Sequence, residues 1–293
     1  MSGQLKEVRL RIKSIQGTQQ ITKALKMVSA AKLRRAQDAI LQMRPYARKL
    51  QEVLSDIVSN SDGDLGTNLA TPRPVEKVLY FVITSDRGAC GSYNSNIQKL
   101  ARQSMKEKYP GPLAAKQITV WAIGKKGYEY FERNGFKVSA TYKDIFLDLK
   151  FARVQEAAQA AIKAFMNKEF DAVEIVYSEF RNAATQVFKV ESFLPIAKVE
   201  KKPGAKKADF IFDPSREELI SELMPKILNT QLFKSVLDAN ASEHGARMTA
   251  MDKATENANE LLRTLKISYN RARQAAITTE LTEIVSGAAA LQG

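Results

Sequence analysis

Apolar positions in the first sixty residues recur every seven. Two interleaved rows carry the pattern: Leu5, Ile12, Gln19, Lys26, Leu33, Ile40, Ala47, Leu54, and Val8, Ile15, Thr22, Ser29, Ala36, Met43, Leu50, Ile57. This 3-4 spacing predicts one helix over residues 1–58, ~85 Å long at the usual rise per residue. Pro45 removes one backbone donor, yet the seam continues through Ala47 and Leu50, so the helix is expected to run past it. Within "QQITKALKMVS" (19–29) the seam turns polar, reading Gln, Thr, Lys, Ser, while Ile21, Leu25 and Val28 hold apolar positions on a rotated face.

From residue 76 the period changes. "EKVLYFVIT" (76–84) and "QITVWAIG" (117–124) are short β-branched and aromatic runs of the kind that form buried parallel strands. "DAVEIVYSEF" (171–180) and "TQVFKVESFLP" (185–195) predict an antiparallel hairpin joined by "RNAA". Helices are expected at Asn94–Tyr109, Lys125–Asn134 and Val154–Lys168. Strands alternating with helices argue for an α/β domain with a mainly parallel sheet.

After Pro214 the pattern is helical again, with Ser215 as a candidate cap before two acids. Its seam is Met248, Met251, Thr255, Ala258, Leu262, Leu265, Tyr269, Ala272, Ala276; Ile277, Leu281, Ile284, Ala288 and Leu291 continue it one residue out of phase. The predicted fold class is therefore α/β: a long antiparallel coiled coil of N- and C-terminal helices with an inserted Rossmann-like domain. The expected divisions are an N-terminal helix (1–58), a linker (59–75), the α/β domain (76–199), a basic loop (200–213) and a C-terminal helix (214–293). The C-terminal helix is the longer, so its small, almost uncharged end, "VSGAAALQG", is expected to project into a sleeve formed by other chains.

Composition narrows the chemistry. The chain has 293 residues, one cysteine (Cys90) and one histidine (His244). A lone cysteine forms no internal disulfide, and one histidine excludes histidine-rich zinc or triad chemistry. His244 reads as an ordinary helix-surface residue, since "ANASEHGARM" carries no nucleophile signature. "ITSDRGACGSYN" (83–94) lies between a strand and a helix, where phosphate cradles form, but Gly88 and Gly91 fit neither GxGxxG nor GxxxxGK[ST]. It reads as a structural junction. "AIGKKGYEY" (122–130) imitates only the end of a phosphate loop, and Asp144 with Asp148 reads as a solvated helical pair. No catalytic residue, cofactor site or metal site is expected.

The net charge of +13 implies an anionic partner, and Lys6, Arg9, Arg11, Lys13, Lys23, Lys26, Lys32, Arg34 and Arg35 are dispersed along the first helix. A basic coiled-coil nucleic-acid binder is thus one reading, although no zinc or RNP motif accompanies the charges. A nucleotide-using enzyme built on the α/β domain is another.

The ends of the chain decide between these. "IKSIQGTQQITKALKMVSAAKLRRAQ" (12–37), "ARMTAMDKATENANELL" (246–262) and "YNRARQAAITTELTEIVSGAAAL" (269–291) resemble the terminal helices of the gamma-subunit family of F-type ATP synthases, and "TSDRGACGSYN" (84–94) its central signature. The resemblance implies a non-catalytic rotor shaft inside a ring of three alpha and three beta subunits, one copy per complex. Its foot would stand with an epsilon subunit on the ring of c subunits. ATP and magnesium would bind to the surrounding ring rather than to this chain. By motif, Arg273, Gln274 and Thr278 correspond to positions meeting catch loops of beta, and Arg247 and Glu283 to positions tied to coupling. Lys23, Leu25, Lys26, Arg34 and Arg35 fall in the zone facing acidic lever loops of beta. On this reading the polar window rotates the stripe, turning Ile21, Leu25 and Val28 inward and Lys23 and Lys26 toward the levers. The start, "MSGQLKEVRLRIKSIQ", lacks an export signal and the seam begins at Leu5. The implied location is the cytoplasmic side of a bacterial inner membrane, as a peripheral subunit.

Overall fold

In a computed structural model, residues 2–59, 69, 71, 73–196 and 216–292 are described. Most of the expected linker, the whole basic loop and the Ser215 cap lie outside them. The described chain begins with helix α1 (Ser2–Ser59) and ends with helix α6 (Arg216–Gln292), 58 and 77 residues long. Between them lie β1 (Val78–Ile83), α2 (Tyr93–Lys108), α3 (Pro110–Ala114), β2 (Ile118–Ile123), α4 (Lys125–Arg133), β3 (Lys137–Ser139), a 3-10 turn (Ile145–Leu147), α5 (Phe151–Met166), β4 (Ala172–Phe180) and β5 (Gln186–Leu194).

Two compact units divide this material: residues 1–29 with 248–293, and residues 30–247. Both long helices contribute to both units. The larger unit carries a five-stranded sheet of order β3-β2-β1-β4-β5. The first four strands are parallel and β5 pairs antiparallel to β4, so the expected hairpin forms. Its central strand β1, VLYFVI, is buried at every position, which is why it reads as an unbroken apolar run. Leu79, Phe81 and Ile83 face a core shared with α5 and with Met224, Leu228, Leu232 and Val236 of α6. Val78, Tyr80 and Val82 face the opposite core, with Ile97, Ala101 and Met105 of α2 and Phe131 of α4. Alternation along one strand thus builds two cores, one on each face of the sheet.

Strand β3 is an addition to the expected elements, and so is α3. The pair Asp144 and Asp148 is a correction. They flank the 3-10 turn rather than share a helix face, and each holds a lysine: Asp144 meets Lys125 at 3.3 Å and Asp148 meets Lys150 at 3.0 Å.

In the smaller unit the first helix and the end of α6 pair antiparallel. Gln19 bonds to Asn259, Thr22 to Thr255 and Lys26 to Asp252, so seven residues forward on α1 are seven back on α6. On α6, Met251, Ala258, Leu262 and Leu265 are buried, as the seam predicts.

Candidate functional site: a polar helix seam, an exposed helix end and a filled crevice

The polar window keeps its register instead of rotating. Thr22 and Ser29 are 7% and 2% exposed, whereas Ile21, Leu25 and Val28 are 61%, 39% and 53% exposed. The expected inward turn of those three residues is therefore overturned. The physical reason lies on the opposite helix, which presents Asp252, Thr255 and Asn259 at the matching heights. Gln19 Nε2 donates to Asn259 Oδ1, Thr255 Oγ1 donates to Thr22 Oγ1 at 2.8 Å, and Lys26 Nζ donates to Asp252 Oδ1. Ser29 satisfies itself on the Leu25 carbonyl at 2.7 Å. Polar layers of this kind bind more weakly than apolar ones but penalise every misaligned register, where buried donors lose their partners.

Among the lever-facing candidates, Lys23, Arg34 and Arg35 are exposed and Leu25 is partly so. Lys26 is half-buried and its ammonium is engaged by Asp252 within the helix pair. On α6, Arg273, Gln274, Thr278 and Glu283 are all exposed. They share the end of the helix with Ile277, Leu281, Ile284 and Val285, which are 49%, 57%, 68% and 66% exposed. Adjacent large apolar side chains left in water at this density mark a surface that another molecule covers.

Arg247 is placed differently. It belongs to the larger unit and lies over the loop that follows β1. Its guanidinium donates to the Arg87 carbonyl at 3.0 Å and the Gly88 carbonyl at 3.4 Å, and pairs with Glu243 one turn earlier on α6. The side chains of Arg247 and Glu243 are only 12% and 9% exposed. Burial pushes the Glu243 carboxyl up, and the charge of Arg247 opposes that rise.

The loop itself is closed by its own polar groups. Asn94 Oδ1 accepts from the Ser85 amide at 3.0 Å, and Asn94 Nδ2 donates to Ser85 Oγ at 2.7 Å. Ser85 Oγ also lies 2.7 Å from the Arg87 carbonyl. The Lys125 amide, at the start of α4, donates to Asp86 Oδ1 at 3.2 Å, so a carboxylate from the chain stands where a phosphate would sit. Gly124 and Gly127 are explained by Thr84: Gly127 N donates to Thr84 Oγ1 at 2.7 Å. A Cβ on Gly124 would lie 2.2 Å from the Thr84 carbonyl, and Gly124 has φ +100. The half-formed phosphate-loop pattern in "AIGKKG" is thus a close-packing device.

His244 departs from its surface reading. It is half-buried beside Arg247, with Nδ1 3.5 Å from a guanidinium nitrogen. Burial, then the charges of Arg247 and Lys32, push its pKa down to about 4. Sequence reasoning missed this because periodicity places a residue on a face without saying what crosses that face. Among the described residues no His, Cys, Asp and Glu group could hold a metal, and no helix is long and apolar enough to cross a membrane.

A family profile described as ATP synthase matches residues 4–291. The ATP synthase gamma chain of Chlorobium phaeobacteroides is 50% identical over 291 residues, 99% of each chain. That of Cytophaga hutchinsonii is 49% identical over 290 residues, 98% of each chain. A chain of the Euglena gracilis mitochondrial ATP synthase has the same fold, with a TM-score of 0.69 at 19% identity over 99% of this chain and 95% of that one. The central stalk and c-ring structure from Tetrahymena thermophila contains a further match, TM-score 0.56 at 21% identity, covering 80% and 99%.

Proposed function

The chain belongs to the ATP synthase gamma-chain family, and on that footing we propose that it is the rotating central shaft of an F-type enzyme. Its helix pair stands inside a ring of three alpha and three beta subunits. The α/β domain stands with an epsilon subunit at the c-ring, on the cytoplasmic side of a bacterial inner membrane. Ion flow turns the c-ring, and the asymmetric shaft carries each beta subunit in turn through its nucleotide states. The chain conveys force between switching partners and forms no bonds itself.

One observation carries this reading. The end of α6 continues past the paired seam as a helix whose apolar side chains, Ile277 to Val285, face solvent. A surface of that kind needs a surrounding sleeve, and exposed Arg273, Gln274 and Thr278 on the same turns offer it polar contacts. Glu283 and Lys23 are exposed for contacts of the same type. Lys26 contributes chiefly by holding Asp252.

The nucleic-acid alternative finds no support in the relatives named above, each a chain of an ATP synthase. Reconstitution distinguishes the two readings. The chain should assemble with alpha and beta subunits at one copy per three of each, and restore ATP-driven proton pumping to membranes containing the c-ring. Ring ATPase and pumping that are indifferent to the chain would refute the shaft, and salt-sensitive retention on DNA without assembly would support the alternative.

A further inference from the structure

We draw no further inference here: the strongest candidate, the open polar notch between α2 and α4 lined by Gln98, Lys126, Glu129, Tyr130, Arg133 and Asn134, has both of its cations already engaged by Glu129, at 2.8 and 3.5 Å, and nothing in the structure shows what covers it.

Discussion

Asp238 offers a direct test of the electrostatics under α6. It is 3% exposed on the helix where α6 crosses the end of β4. Burial pushes its pKa up from 3.8 to about 6, helped by Glu179 and opposed by Lys234, Arg44 and the Phe180 amide. The fold therefore binds this proton more tightly than the unfolded chain does. Its contribution is complete below about pH 3.8 and disappears as the pH rises through about 6. A rise of about two units corresponds to about 3 kcal/mol, an upper bound because local relaxation shares the cost. Asp238→Asn keeps a neutral side chain of nearly the same shape at every pH. The variant should match the wild type near pH 4 and exceed it by about 2–3 kcal/mol above pH 7. Urea unfolding of the full chain at several pH values, followed by circular dichroism, reads the difference directly. A pH-independent difference, or a variant less stable than wild type at pH 7.5, would refute the assignment.

Four further outcomes follow from single contacts. His244, held down to about 4, makes the fold lose stability as pH falls from 6.5 through that value; His244→Gln should remove up to about 3 kcal/mol of that acid-side loss in the same urea series. Gly124→Ala should cost about 3 kcal/mol or more, because the new Cβ meets the Thr84 carbonyl and φ is +100, and a thermal melt would show it. Ala89 has φ +62, so Ala89→Gly should raise stability by about 0.5–1 kcal/mol in denaturant titrations. Lys26 and Asp252 are both about two-fifths exposed, so a double-mutant cycle to alanine should return a coupling of at most about 1 kcal/mol, falling with salt.

The sequence makes the repeating elements plain and the contacts between them obscure. Helix α1, the seam of α6 and strands β1, β2, β4 and β5 all stand where periodicity places them, because each presents a long apolar run or stripe to a core. Strand β3 has only three residues, Lys137–Ser139, and carries too few alternations to register. The polar window shows a different limit. Its own helix suggests a rotated stripe, and only the opposing residues Asp252, Thr255 and Asn259 reveal that polar faces polar. The signal was present, since Thr255 already stood in the α6 seam with Asp252 and Asn259 beside it, but it required aligning the two helices antiparallel. Likewise "TSDRGACGSYN" is legible as a strand-to-helix junction, but its engagement by Arg247, some 160 residues later, has no local mark. Distant pairing, not local propensity, separates the legible part from the rest.

A rotor role for this chain makes its motion within the ring directly measurable. A bead or fluorophore attached to an exposed position on the α/β domain of the assembled complex, with the ring fixed to a surface, reports that motion directly. Upon addition of ATP the probe should rotate stepwise in one direction and stop when ATP is withdrawn. A ring that hydrolyses ATP while the attached probe stays still, or wanders without direction, would contradict the rotor role.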